Sequence, residues 1–306
     1  MLRYQIAQNS GTNTKLFAHH QWDAGLYLAD LIAEQSAEVV QGKQKEAAFV
    51  DVRGRTVVEL GAGTGLPGLV ASIMGAERTV ITDYPDPHVI DNLQRNLDLA
   101  LLPSRRSKSD RQPNPHYSKA REQVQVIGLG WGNDTEESQV LAASSTSADK
   151  SKEAGYDLVL AADVLWVSSA HPLLIHSIRK LLKRNRDARC VLIAGFHTGR
   201  PAVRRFFVQL AQPADENDAS LDDGRRAGIV PDWDENRFGG IWERNIDGSQ
   251  RAWSGAPVPR KSDYDAASTS TTLLEDAGKE QEEEMGDISD RGSWVVVASL
   301  RWADLA

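Results

Sequence analysis

The stretch that decides the fold is VVELGAGTGLPG, which runs from Val57 to Gly68. Its β-branched start is typical of a buried strand, and Pro67 suits the first turn of a helix. Between them lie four glycines: Gly61, Gly63, Gly65 and Gly68. Glycines in such a loop let the backbone turn tightly and approach a ligand, while the first amides of the helix face it. The stretch therefore predicts a strand, a ligand-binding loop and a helix.

The glycines alone do not identify the ligand of this loop. Their spacing matches the dinucleotide fingerprint, and Asp83 follows about 20 residues later, where an acid would bind a ribose. Glu59, however, ends the strand directly before the glycines, where a carboxylate repels a pyrophosphate and attracts a cation. S-adenosylmethionine carries an ammonium and a sulfonium and no phosphate, so Glu59 favours it, with Asp83 on the ribose hydroxyls. An NAD-dependent oxidoreductase stays open as an alternative.

Short β-branched runs alternate with helical patterns on both sides of this stretch. The candidate strands are Thr56–Leu60, Thr79–Thr82, Gln123–Ile127, Asp157–Ala161, Arg189–Ala194, Gly240–Arg244 and Trp294–Leu300. The candidate helices are Gln21–Gln35, Leu66–Met74, Pro87–Leu99, His171–Lys183 and Pro201–Leu210. Such alternation indicates a doubly wound α/β domain. We expect a Rossmann-like, seven-stranded, mostly parallel sheet that ends in an antiparallel terminal strand.

The composition and the net charge of the chain exclude several kinds of partner and site. The chain has 306 residues, 41% of them hydrophobic and 25% charged, with a formal net charge of −8. This charge argues against nucleic-acid and membrane partners, because no net field attracts polyanions. The single cysteine, Cys190, excludes a disulfide framework, and the histidines show no ligand-like spacing, so no metal is expected. We expect a monomer in the cytoplasm, with the nucleus as the alternative location.

Three polar stretches interrupt the alternation, at residues 103–122, 133–154 and 254–291. They are rich in Ser, Thr, Pro and charged residues and lack the hydrophobic periodicity of packed elements. We therefore expect surface loops or disorder there. The prediction is a single domain over residues 1–306, with an N-terminal helical segment over about residues 1–50 and these three stretches as inserts.

Four motifs, in this order, carry a family resemblance: ELGAGTGLPG, TDYPDPHVIDNLQRN, GLGWGN and DLVLAADVLW. The succession resembles the seven-β-strand, non-SET protein methyltransferases, a group with many lysine methyltransferases. Within that group the chain is most similar to fungal proteins labelled nicotinamide N-methyltransferase-like, some of which modify translation elongation factor one-alpha. The resemblance covers residues 21–96, 127–133 and 156–210 and the terminal strand. It implies the class I methyltransferase fold and S-adenosyl-L-methionine as cofactor.

The resemblance also implies roles on the cofactor side. Trp22 would line the cofactor entrance, and Glu59, Gly61 and Gly63 would form the loop around the amino-acid part of the cofactor. Asp83 would bind the ribose, Trp131 would pack against the adenine, and Ala162 would contact the methionine end. A core position stays open as the alternative for Trp22.

On the acceptor side the resemblance implies Asp163 and Trp166 as catalytic residues. Asp163 begins what resembles the family's Asp-x-x-Tyr box, but Trp166 stands where the family has tyrosine, which keeps an aromatic wall and loses a hydroxyl. Asp163 would orient an amine by accepting its N–H, and Trp166 would hold methylammonium groups by cation–π attraction. A helix cap stays open for Asp163. His197, after the fifth strand, is either a proton acceptor or a solvent-facing loop residue.

The predicted function is therefore an S-adenosylmethionine-dependent N-methyltransferase. Its acceptor would be a lysine or N-terminal amine of a protein, such as a translation elongation factor. Two alternatives stay open: methylation of a small acceptor such as nicotinamide, and a noncatalytic scaffold that retains the fold.

Overall fold

A computed structural model describes residues 2–8, 20–40, 49–101, 115–145, 154–233, 239–255 and 292–306. Within them the strands are β1 (Thr56–Leu60), β2 (Arg78–Asp83), β3 (Val124–Gly128), β4 (Leu158–Ala162), β5 (Arg189–Gly195), β6 (Ile229–Pro231), β7 (Ile241–Asn245), β8 (Gln250–Ala252) and β9 (Trp294–Trp302). The helices are α1 (Asp23–Val40), α2 (Leu66–Ile73), α3 (Pro87–Leu101), α4 (Pro115–Gln123), α5 (Asp134–Ala142), α6 (His171–Leu181) and α7 (Arg200–Ala211). All seven predicted strands and all five predicted helices are present, and α1 extends beyond its predicted end.

The strands form one sheet in the order β3-β2-β1-β4-β5-β9-β7-β8, with β6 paired to β9. Strands β1 to β5 run parallel, whereas β9 is antiparallel to both β5 and β7. The mostly parallel sheet with its antiparallel terminal strand is confirmed. Two three-residue strands, β6 and β8, add to the seven that the sequence predicts.

The order of the strands reverses between β1 and β4. From β1 the chain winds outward through β2 and β3, and it then returns to place β4 on the other side of β1. In open α/β sheets such a reversal leaves a crevice at the carboxyl ends of the two strands. The loops after β1 and β4 therefore meet at one edge of the sheet.

Helices cover both faces of the sheet, as in a doubly wound fold. Side chains of successive strand residues point to opposite faces, so Val58 packs in the cluster with α6 and α7, and Val57 packs in the cluster with α1. A third cluster joins α2, α3 and α4 over Ile81. Cys190 is fully buried in the first cluster, where it packs as a small core residue.

Two of the polar stretches contain helices where the sequence predicts loops. Helix α4 begins at Pro115, and α5 lies inside the second stretch, where Asn133 caps it by accepting hydrogen bonds from the amides of Thr135 and Glu136. Only Glu137 and Val140 of α5 are buried, so the helix shows almost no hydrophobic periodicity. Glu137 attaches it to α6 through Ser177 and His176, and Val140 packs in the first hydrophobic cluster. The third stretch lies outside the described residues except for 254 and 255.

No described helix has both the length and the apolar character of a membrane span.

The hydroxyl of Tyr156 anchors α5 to the sheet. Tyr156 is fully buried and donates a 2.5 Å hydrogen bond to the carbonyl oxygen of Val140. Replacing Tyr156 with Phe should lower the free energy of unfolding by about 1–2 kcal/mol, because the carbonyl loses its buried donor. Chemical denaturation measures the loss, and Tyr117→Phe, on a partly exposed position of α4, is the matched control. Equal stability of the two variants would contradict this anchoring.

Candidate functional site

A pocket of about 310 Å³ opens at the carboxyl ends of β1 and β4, where the strand order reverses. Small-molecule sites in proteins are of this size and at this place in α/β sheets. All nine residues proposed from the sequence line it: Trp22, Glu59, Gly61, Gly63, Asp83, Trp131, Ala162, Asp163 and Trp166. The structure thus brings them together, and their individual roles stay predictions.

A buried carboxylate docks α2 onto β1. Glu59, only 1% exposed, accepts a 2.8 Å hydrogen bond from the amide of Gly68. A β-carbon on Gly68 would lie 2.6 Å from Glu59 Oε2 and 2.7 Å from Ile81, so glycine is required for this approach. Glu59 therefore satisfies one of the free amides at the start of α2 and lines the pocket as well.

Gly61 allows two side chains to close over the glycine loop. Its φ of 62° lies in the left-handed region, and a β-carbon there would be 2.8 Å from Val164 and 3.2 Å from Trp131. The Trp131 ring is only partly buried and faces the pocket. Its position suits an aromatic platform for a flat ligand group.

Asp83 closes the other side of the glycine loop. One carboxylate oxygen accepts a hydrogen bond from the Gly63 amide and the other accepts one from the Tyr84 amide, both at 2.7 Å. Each carboxylate oxygen has a further lone pair that can accept from a ligand hydroxyl. Asp83 thus orders the loop and presents acceptor sites to the pocket.

Two buried acids, Glu59 and Asp83, determine the electrostatics of the pocket. Burial, opposed by the hydrogen bond from Gly68 and reinforced by the Asp83 carboxylate, raises the pKa of Glu59 to about 8. Burial also raises the pKa of Asp83, against the hydrogen bonds from Gly63 and Tyr84. A positively charged ligand would favour the ionised form of both acids, whereas a pyrophosphate would be repelled by them.

Two acids that no sequence motif marks, Glu136 and Glu137, hold the turn that carries Trp131. The Gly130 amide donates to Glu136 Oε2 at 2.6 Å, and the Gly132 amide donates to Glu137 Oε1 at 3.0 Å. Both acids belong to α5, in a stretch where the sequence predicts a loop. The only signal for them was the acidic first turn of a helix that lacks a hydrophobic face.

One cluster of possible metal ligands occurs among the described residues. Oxygen or nitrogen atoms of Asp134, Glu137 and His176 lie within 4.8 Å of one another, although their sequence spacing does not suggest it. His176 Nδ1 lies 3.1 Å from Glu137, and the Lys180 ammonium lies 3.9 Å from Asp134. Both acids therefore already have protein partners. We assign the cluster to the anchoring of α5 on α6.

Asp163 follows β4 in a conformation that is rare for its residue type. Its φ of 58° is the only positive value of any non-glycine residue in the described ranges. Its carboxylate accepts a 3.0 Å hydrogen bond from the Gly195 amide and contacts His197 Nε2 at 3.1 Å. Helix α6 begins later, at His171, with Ala170 before it. The alternative of a helix cap for Asp163 is therefore wrong.

Two tryptophans form aromatic walls of the pocket. Trp22, just before α1, and Trp166, after β4, are each partly buried and line it. The Trp22 ring centre lies 5.3 Å from that of His20 and 4.9 Å from that of His197. Trp22 is thus not a core residue. His197 is exposed, as one of its two interpretations held, but it is also bound to Asp163.

Gln21 and Thr64 also line the pocket, and neither was proposed from the sequence. The Thr64 hydroxyl donates a 2.8 Å hydrogen bond to Gln21 Oε1, which ties the segment before α1 to the glycine loop. Tyr84 and Leu173 expose about half of their surface at the rim. No sequence pattern marks these residues, because their contacts join segments that are far apart in the chain.

Comparison with known proteins places the chain in a family. The sequence model described as lysine methyltransferase matches residues 4–212, which is more than half of the chain. Curated relatives named protein N-terminal and lysine N-methyltransferase EFM7 also match. The relative from Gibberella zeae is 33% identical over 171 residues, 56% of this chain and 55% of that protein. The relative from Yarrowia lipolytica is 35% identical over 167 residues, 55% of this chain and 53% of that protein. The chain thus spans about half the length of each.

The raised pKa of Glu59 has a measurable effect on stability in the absence of ligand. The unfolded chain loses this proton near the ordinary pKa of 4.5, whereas the folded chain keeps it to about 8. The free energy of unfolding should therefore fall as the pH rises between these values. Glu59→Gln keeps an acceptor for the Gly68 amide and does not titrate, so this part of the pH dependence should be absent.

Thermal melting between about pH 5 and pH 8.5, compared with Glu122→Gln at an exposed position, measures this difference. Melting temperatures of Glu59→Gln that decline with pH as steeply as those of the wild type would contradict it.

Proposed function

The chain belongs to the lysine methyltransferase family, and on that premise we propose that it transfers methyl groups from S-adenosylmethionine to amines of proteins. The acceptor in this proposal is a lysine side chain or an N-terminal amine. The names of the relatives, protein N-terminal and lysine N-methyltransferase, support both kinds of acceptor. The observation that carries the proposal is the pair of acids, Glu59 and Asp83, around a glycine loop at the switch point of the sheet.

The residues of the pocket fit this cofactor. When bound, S-adenosylmethionine supplies a methyl group on a positively charged sulfur, which makes the methyl carbon reactive toward a neutral amine. Glu59 offers a buried carboxylate for the positive charge of the ligand, and Asp83 offers acceptors for ribose hydroxyls. Gly61 lets the backbone come close, and Trp131 offers a face for an aromatic base.

The acceptor side of the pocket is formed by Asp163, Trp166 and Trp22. A carboxylate with lone pairs left can accept an N–H of the amine and orient its lone pair. The tryptophan faces attract the positive charge that develops on the acceptor nitrogen and exclude water from one side of it. Methyl transfer is an in-line displacement, so most of the catalytic effect in this site comes from such positioning.

The proposal also specifies the acceptor protein, the cellular location and the oligomeric state. We propose a translation elongation factor as substrate and the cytoplasm as the place of action, with a monomer as the active form. The similarity of four motifs to fungal elongation factor methyltransferases supports this choice. Among the described residues that line the pocket, none makes a contact that favours a small acceptor such as nicotinamide or a noncatalytic scaffold.

A labelling experiment tests the proposed function. The purified protein is incubated with S-adenosylmethionine tritiated in the methyl group and with heat-treated yeast extract, which contains protein and small-molecule acceptors. We expect label in a protein band, and methyllysine or an N-methylated terminal residue after acid hydrolysis. Label in small molecules alone would support the nicotinamide-like alternative, and cofactor binding with no transfer would support the scaffold. If calorimetry shows that NAD binds and S-adenosylhomocysteine does not, the assignment of S-adenosylmethionine as the cofactor is wrong.

Asp83→Ala should weaken the binding of S-adenosylhomocysteine by about 2–3 kcal/mol, because charge-assisted hydrogen bonds to the ribose and to the Gly63 amide are lost. Calorimetry measures the affinity, and circular dichroism should show that the fold is retained. Asp86→Ala, which removes an acid outside the pocket lining, is the matched control and should keep the wild-type affinity. Unchanged affinity in a folded Asp83→Ala variant would refute the role of this acid.

Trp166→Ala should reduce methyl transfer much more than cofactor binding. The lost aromatic face is worth on the order of 1–2 kcal/mol to a desolvated cation. Cofactor affinity should stay within a few-fold, because Glu59, Asp83 and Trp131 are unchanged. Trp166→Phe keeps an aromatic face and should recover most of the transfer. If Trp166→Ala instead melts far below the wild type and transfers normally per folded molecule, Trp166 serves packing.

A further inference from the structure

His197 lies where the carboxyl end of β5 meets the acceptor side of the pocket. It follows β5 by two residues, and its Nε2 lies 3.1 Å from Asp163 Oδ2. An ionised carboxylate only accepts hydrogen bonds, so Nε2 carries the proton and donates it. On its other side the ring packs against Trp22, at 4.9 Å between ring centres. His197 thus contacts two residues that line the pocket and does not line it itself.

The backbone beside His197 is shaped to allow this contact. A β-carbon on Gly195 would lie 2.6 Å from His197 Nε2, so any side chain there would displace the ring from Asp163. The amide of the same glycine donates a 3.0 Å hydrogen bond to Asp163 Oδ1. Both carboxylate oxygens of Asp163 are therefore held by the end of β5, one by the backbone and the other by the imidazole.

Asp163 needs this support because of its own backbone. A left-handed conformation costs conformational energy for an aspartate and persists only where the surroundings determine it. The amide of Asp163 also donates to the carbonyl oxygen of Ile193 at 2.7 Å, so the residue is fixed at three points. Residues that several contacts hold in a strained backbone conformation are often found at functional sites.

We propose that His197 is a positioning residue for methyl transfer, which holds the Asp163 carboxylate in the orientation that receives the N–H of the incoming amine. This inference rests on the proposed function. In the transfer step the amine lone pair forms the new N–C bond while the S–CH₃ bond breaks and its electron pair stays on sulfur. The acceptor nitrogen becomes positively charged and then releases a proton to water. His197 takes part in none of these bonds and acts through Asp163.

The protonation state of His197 changes the net charge of the pair that it forms with Asp163. Among the described residues, the charged groups that act on the ring are Asp163 after β4 and Asp23 at the start of α1, and His20 contacts Trp22, which packs against the ring. The hydrogen bond to Asp163 raises the pKa of His197 against partial burial, and the charges of Asp163 and Asp23 add to the rise. Below this pKa the imidazolium balances Asp163. Above it the carboxylate is free to stabilise the positive charge on the acceptor nitrogen.

The test compares His197→Ala with His197→Gln, whose side-chain amide can still donate to Asp163. The probe is tritiated S-adenosylmethionine at saturation with heat-treated yeast extract, and cofactor affinity is measured by calorimetry. We expect His197→Ala to reduce the transfer rate about tenfold or more while the cofactor Kd changes by less than about threefold. His197→Gln should recover most of the rate.

The ratio of wild-type to His197→Gln rates should rise with pH, because only the wild type has the titrating ring. His88→Ala, at an exposed position outside the pocket, should behave as wild type.

A structural readout independent of turnover accompanies the rates. In NMR titrations of the histidine rings, Asp163→Asn should lower the pKa of His197. An unchanged His197 titration in that variant would show that the pair does not exist and would overturn the inference. A transfer rate of His197→Ala equal to wild type, or no recovery in His197→Gln, would also overturn it. These outcomes require an active wild type. Absence of transfer by the wild-type protein itself would overturn the proposed function first.

Discussion

The hydrogen bond from the Gly68 amide to the buried Glu59 carboxylate is the contact on which the site depends. It fixes the start of α2 against the end of β1, at a distance that only glycine permits. The glycine loop between them must then lie across the edge of the sheet, over the point where the strand order reverses. The same carboxylate also lines the pocket, so one buried acid contributes both to the packing of α2 and to the surface that a ligand would meet.

The sheet and its main helices could be predicted from the sequence because burial leaves a local pattern. Strands buried on both faces are nearly continuous apolar runs, and α6 repeats its apolar residues every three or four positions. Helices α4 and α5 left no such pattern. Helix α5 is instead held by its cap Asn133, by the buried Glu137 and by the hydroxyl of Tyr156, which lies in the segment before β4. Polar contacts of this kind leave no signal in the hydrophobic pattern of the sequence.

The pocket residues could be predicted in part for a different reason. Glycines and acids that follow strands are recognisable in sequence, and parallel strands bring their carboxyl ends to one edge. The contact between Asp163 and His197 was not predictable, since it requires β4 and β5 to be neighbours and a missing side chain at Gly195. The Gln21–Thr64 hydrogen bond likewise joins segments with no common pattern.

The place of β9 in the sheet has a consequence for biosynthesis. The strand Trp294–Trp302 is the last of the described strands to be translated, yet it lies inside the sheet, between β5 and β7, and also pairs with β6. Until β9 has been synthesised, the edge of β5 that it covers lacks a partner strand. Open edges of this kind invite pairing with other chains. Pairing with β9 therefore removes an edge of β5 at which other chains could add a strand.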